Sequence, residues 1–172
     1  KLSSKEIYDL SLQIANSVLK LPIWKYSFFH VFLTIKTLKE VFTEPIMSIL
    51  SGKDKHIVVS KSDFKTRTMS HILLQDNTLL KPNSWNIPEP ENGISISDEQ
   101  IEVVFIPLVT FDEKGNRIGY GKGFYDGFLK NCSKDTIKIG LSFFDAETVI
   151  DDVEPHDIPL DFCVTPNKIY TF

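Results

Sequence analysis

Residues Asp112–Leu129 read Asp-Glu-Lys-Gly-Asn-Arg-Ile-Gly-Tyr-Gly-Lys-Gly-Phe-Tyr-Asp-Gly-Phe-Leu. An apolar run, Ile101 to Val109, leads into them and reads as a fully buried strand. Asp112 to Gly115 has turn chemistry, with Gly115 free to take positive φ. Gly119, Gly121 and Gly123 then occupy every second position, with Arg117 and Lys122 among them. Backbone without Cβ atoms approaches a ligand closely and aims N–H groups at it. From Phe124 to Lys130 the pattern is helical, so the glycines stand at a helix N-terminus, where the dipole favours an anion. The stretch reads as a phosphate site.

Known glycine patterns fit it poorly. A P-loop would need glycine at Asn116 and Ser or Thr at Gly123. In the dinucleotide fingerprint the third glycine falls one residue later, and the strand runs straight into the turn, whereas Thr110 to Ile118 intervenes here. Asp145 follows the next strand as a ribose-binding acid would, which keeps a nucleotide- or dinucleotide-binding module without phosphoryl transfer as the second reading. No His-Arg-Asp or Asp-Phe-Gly accompanies the loop, as a kinase requires. A plain glycine-rich surface turn is the remaining alternative.

The segment Gly115-Asn-Arg-Ile-Gly-Tyr-Gly-Lys-Gly-Phe-Tyr-Asp126 resembles the signature of the 5-formyltetrahydrofolate cyclo-ligase (5,10-methenyltetrahydrofolate synthetase) family. Glu40-Val-Phe-Thr43, Ser84-Trp-Asn-Ile-Pro-Glu-Pro90, and His156-Asp157 with Asp161 and Val164-Thr-Pro166 match in order. The resemblance runs from about Leu2 to the end. It implies a Rossmann-like three-layer α/β sandwich. The implied reaction is ATP-dependent closure of 5-formyltetrahydrofolate to 5,10-methenyltetrahydrofolate, releasing ADP and phosphate.

The same resemblance carries the site assignments. Arg117, Ile118, Gly119, Tyr120, Gly121, Lys122, Gly123, Phe124 and Tyr125 are expected to wrap the ATP phosphates, with Arg117 and Lys122 as catalytic cations. Tyr120 to Phe124 also border the folate, together with Glu40 on the pterin and Trp85. Asp126 and Asp157 match the magnesium-binding acids. Phe42 stands where an acid is common and Phe124 where a tyrosine is commoner. Family members begin with a basic segment that reaches ATP. This sequence begins at Lys1, and Lys1 and Lys5 fall too late to replace that segment. The expectation is that upstream residues order over ATP and tighten it by about tenfold or more.

Composition narrows the partners. A chain of 172 residues is one domain, 1–172, able to bury a sizeable core. The net charge of −4, without a basic tract, argues against nucleic acid. No apolar stretch is long enough to span a bilayer. Cys132 and Cys163 form no metal or redox spacing, which suits a reducing cytoplasm; a monomer is expected.

The rest of the chain alternates strands and helices, which predicts a mostly parallel, mixed sheet covered on both faces. Ser3-Ser-Lys-Glu6 is a capping box opening a helix that ends before Pro22. Phe28 to Ile35 reads as the first buried strand, with His30 as a core histidine whose hydrogen bonds are met. Thr43 is the expected N-cap of a helix stopping at Gly52. Strands are predicted at His56 to Ser60, Met69 to Leu74, Ile137 to Phe143, Phe162 to Thr165 and Lys168 to Phe172. Lys61 to Thr68 is a basic loop without an assignment. Asp145 to Asp152 is read as a short helical turn. Lys81 to Glu91 is a proline-stiffened loop in which Trp85 either stacks on a heterocycle or plugs a core edge.

Overall fold

The computed structural model describes residues 2–172; Lys1 lies outside them. Ser3 and Glu6 close the capping box that starts α1 (Ser4–Val18). After α1 come β1 (Phe28–His30), a short 3-10 turn at Lys36–Leu38, α2 (Glu44–Gly52), β2 (His56–Asp63) and β3 (Thr68–Leu73). Three short strands follow: β4 (Leu80–Pro82), β5 (Pro88–Pro90) and β6 (Ser95–Ile96). The second half contains β7 (Val103–Pro107), β8 (Thr110–Phe111), β9 (Arg117–Ile118), α3 (Phe124–Asn131), β10 (Ile137–Leu141), β11 (Phe162–Val164) and β12 (Ile169–Thr171).

Eight strands form one sheet in the order β12-β11-β10-β7-β1-β2-β3-β6. The four central pairings, from β11 to β2, are parallel and both margins are antiparallel. One sheet face packs Phe29, Phe105 and Ile139 against Ile14 and Val18 of α1 and Ile46 and Leu50 of α2. The other packs Val58, Val104 and Ile106 against Phe128 and Leu129 of α3. The molecule is therefore a three-layer α/β sandwich. Buried side chains of this size each contribute on the order of 1.5–3 kcal/mol. Among the described residues no helix is long and apolar enough to cross a membrane.

Several local expectations change. The first strand ends at His30; Val31 N still donates to the Val58 carbonyl, and the chain beyond it turns toward Glu40, which accepts from Ile35 N. The Thr43 side chain does not cap α2; its hydroxyl donates to the Phe32 carbonyl at 2.7 Å and ties that turn to the helix start. Lys61–Asp63 extends β2, paired with Thr68–Ser70 of β3, so only the tip of the supposed loop is a turn. Residues 145–152 contain no helix. Their backbone is held instead by Ile150 N donating to Asp112 and Glu147 N to the Phe111 carbonyl. Lys114 N and Asn116 N of the β8–β9 turn donate to the same Asp112 carboxylate.

His30 is a core histidine without hydrogen bonds. Both its ring nitrogens and Nε2 of His71 are buried and unpartnered, and the two rings meet edge to face at 5.3 Å. Around them stand Phe128 and Tyr125 of α3, and Asp98, which takes Nδ1 of His71 at 2.9 Å. Burial holds His30 well below its usual pKa, with the neighbouring His71 adding to the effect. A depressed histidine contributes stability that is present above its unfolded pKa near 6.5 and lost as pH falls. His30→Phe should therefore flatten the acid limb of unfolding free energy by up to about 1.4 kcal/mol per pH unit below about 6.5. Parallel limbs in urea titrations would mean that the site opens to water before the ring charges.

Candidate active site

Ligand crevices in open α/β sheets lie at the carboxyl ends of strands, where neighbouring connections diverge. Here β1 lies between its parallel neighbours β2 and β7, and past its end lies a cavity of about 520 Å³. Its floor is the glycine segment. Asp112 organises the tight β8–β9 turn that delivers it, and Gly115 is obligatory there: its φ is +84°, and a Cβ would lie 2.8 Å from Phe172. Beyond β9, Gly121 and Gly123 take φ of +78° and +69°, with open space where side chains would project. Gly123 is the N-cap of α3 and lines the cavity, so a helix start adjoins it.

Every residue from Arg117 to Asp126 lines this cavity, and so do Glu40 and Asp157. Trp85 does not line it. It projects at the rim, 64% exposed, on the β4–β5 turn held by the Asn83 side chain. Exposure of that size excludes a core-plug role. Phe42 packs on Tyr8 with ring centroids 5.9 Å apart, away from the cavity wall.

The predicted phosphate cations are not both free. Arg117 Nη2 pairs with Asp126 Oδ1 at 2.7 Å, with side chains only 5% and 18% exposed. Ile158 N donates to the same oxygen at 3.1 Å, which brings the 157–158 segment against α3. Asp157 Oδ2 accepts from Glu154 N. Asp126 Oδ2 stays outside these bonds, and Asp157 Oδ1 has only a long 3.9 Å contact with His156 Nε2. A pair of carboxylates with one oxygen open and one only loosely held suits Mg²⁺, which completes its shell with water and phosphate. Among the described residues no group of three or more His, Cys, Asp or Glu forms a fuller metal site.

Glu40 is buried, and its Oε2 accepts from Ile35 N at 2.7 Å. Burial raises its pKa to about 7, opposed by that single backbone bond. An acid with a raised folded pKa stabilises the fold fully below its unfolded value, and that contribution is lost as pH rises through about 7. Such a shift is worth on the order of 3 kcal/mol once the group is ionised. Glu40→Gln should thus melt later than the wild type at pH 8 and with little difference at pH 5. Equal melting at pH 8 would show that water already solvates the carboxylate.

Residues without a sequence assignment complete the wall. Ser60, Ser62, Phe64 and Met69 line it from the β2–β3 hairpin, and Glu89 from β5. The alternation Ser60, Ser62, Phe64 is the one available signal, and it is faint because two of the three are polar. A second cavity of about 310 Å³ adjoins the first and shares Phe32, Leu38, Glu40, Pro107 and Tyr120 with it. Burial, with Glu40 nearby, lifts the Tyr120 hydroxyl to about 12, so it stays a proton donor at neutral pH.

Comparison with known proteins agrees with this geometry. The model of the 5-formyltetrahydrofolate cyclo-ligase family matches residues 2–166. The 5-formyltetrahydrofolate cyclo-ligase of Mus musculus is 29% identical over 172 residues, covering 93% of this chain and 84% of that protein. The Escherichia coli K12 protein of the same name is 32% identical over 137 residues, covering 76% of this chain and 74% of its own. The NMR structure of Aquifex aeolicus 5,10-methenyltetrahydrofolate synthetase superposes with a TM-score of 0.82 at 28% identity, covering 99% of this chain and 84% of that one. This chain belongs to the 5-formyltetrahydrofolate cyclo-ligase family.

Proposed function

We propose that the chain closes 5-formyltetrahydrofolate to 5,10-methenyltetrahydrofolate by transferring the γ-phosphoryl of ATP to the formyl oxygen. The observation that carries this is one cavity in which the glycine segment, Glu40, Asp126 and Asp157 converge. Phosphorylation turns a poor leaving group into phosphate. N10 then attacks the formyl carbon and gives up its proton to solvent, the carbon–oxygen bond breaks with its electron pair going to phosphate, and ADP and phosphate depart. No protein nucleophile is required, so positioning and electrostatics supply the catalysis.

The individual roles in this reading rest on the family resemblance and on the shared cavity lining. The amides of Gly119 to Gly123 and the start of α3 cradle phosphate oxygens, and Lys122 offsets charge on the transferred group. Arg117, paired with Asp126 at 2.7 Å, would add its charge at the same end of the cavity. Asp126 and Asp157 would hold Mg²⁺, which neutralises phosphate charge when bound. Ionised Glu40 accepts N–H donors of the pterin, so affinity for the folate should fall as pH drops below about 7. Trp85 stacks on the substrate's flat ring at the rim. The adjoining second cavity gives two substrates room to meet across Glu40 and Tyr120. The partners in this reading are small molecules in the cytoplasm, acted on by a monomer.

The test is phosphate release from ATP with and without 5-formyltetrahydrofolate. Release should depend on the folate and match the methenyl product one to one. Binding of ATP without folate-dependent release would leave the nucleotide-binding module as the function.

A further inference from the structure

The Lys122 ammonium makes no ion pair or side-chain hydrogen bond among the described residues. It rests over two aromatic rings, 4.8 Å from the Phe64 centroid and 5.2 Å from that of Trp85. Those rings are 5.9 Å apart, and Phe64 also meets Phe124 edge to face at 5.3 Å. Three separate segments thus converge on one cation: the tip of the β2–β3 hairpin, the β4–β5 turn and the glycine loop. Phe64 reaches the cavity because Asp63 caps the hairpin turn, accepting from Lys65 N and Thr66 N, and Arg67 closes it with φ of +56°.

We propose that Phe64 is a positioning residue: with Trp85 it parks Lys122 away from the phosphates until the flat ring of the folate displaces the ammonium. This rests on the cyclo-ligase reading above. An ammonium and a heterocycle compete for the same aromatic faces, because both are drawn to the π surface. No side chain crowds either flanking glycine, and the flexible four-carbon stem of lysine can swing its ammonium off the rings. The arriving ring therefore releases the cation that the phosphoryl group needs. Folate and ATP binding become positively coupled, and ATP alone meets a site short of one charge. A ligase gains from this, because water then finds an incomplete catalytic site.

Coupling is reciprocal and bounded by the strength of the parked state. One ring's contact with a cation is equivalent to about three- to fivefold in an equilibrium. The experiment measures affinity for a non-hydrolysable ATP analogue by calorimetry, with and without saturating 5-formyltetrahydrofolate, in the wild type, Phe64→Leu and Phe64→Tyr. In the wild type the folate should tighten the analogue by about fivefold. Phe64→Leu should bind the analogue more tightly without folate, lose most of the coupling, and release more phosphate from ATP alone. Phe64→Tyr, which keeps the π face, should behave as the wild type does. Should Phe64→Leu melt early, Phe64→Met supplies the same comparison with a longer apolar side chain. Coupling in Phe64→Leu or Phe64→Met equal to that of an active wild type overturns the role of Phe64 alone. A wild type that releases no phosphate in response to folate overturns the cyclo-ligase reading itself.

Discussion

Lys122→Ala is expected to lower kcat by about two to three orders of magnitude, the usual effect of removing one preorganised charge stabiliser. The KM for 5-formyltetrahydrofolate should stay level or fall. The reason is where the ammonium sits. Before the reaction it occupies the Phe64 and Trp85 rings rather than any carboxylate, so its removal takes nothing from the bound folate and clears the rim. Its charge matters where negative charge is redistributed over the transferred phosphoryl group. An interaction stronger in the transition state than in the ground state appears in kcat. Steady-state kinetics with unchanged kcat would move Lys122 out of the chemistry, whatever happened to KM.

Asp126→Ala should cost stability as well as activity. Asp126 is the partner of the buried guanidinium of Arg117 and an acceptor for Ile158 N. Its removal leaves a charge enclosed without compensation, a change typically worth about 3–5 kcal/mol. In a domain of this size that corresponds to a fall in Tm of roughly 10 °C. The Nε of Arg117 is already buried without a partner, so the loss leaves the guanidinium held by less still. Arg117→Met combined with Asp126→Leu removes both charges and should recover most of the melting temperature while remaining inactive. That contrast separates the structural from the chemical role of the pair. A single variant melting within about 2 °C of the wild type would show the pair to be solvated, since exposed pairs are worth at most about 1 kcal/mol.

These two residues also mark the limits of sequence reading here. The glycine segment was legible because its signals are local: positive-φ glycines, a helix start and cations within a dozen residues. The sandwich was legible for a similar reason, since buried parallel strands are continuous apolar runs, as in Val103–Pro107. Pairing between distant segments left no such trace. The Arg117–Asp126 ion pair joins two residues each expected to serve phosphate or metal. His30 and His71 meet across β1 and β3 without any shared pattern in sequence. Phe64 was hidden in a polar stretch whose strand character comes from pairing with β3 rather than from apolar alternation. Thr43 had the right residue type for an N-cap, yet the carbonyl of Phe32 claimed its hydroxyl.

The central claim is that the formyl oxygen leaves as phosphate. The most direct measurement uses 5-formyltetrahydrofolate labelled with ¹⁸O in the formyl group, incubated with ATP and the protein, with mass analysis of the inorganic phosphate formed. Phosphoryl transfer to that oxygen predicts one labelled oxygen in each phosphate released. Unlabelled phosphate formed alongside the methenyl product would contradict it, because ATP would then have been cleaved by water and the ring closed by another route.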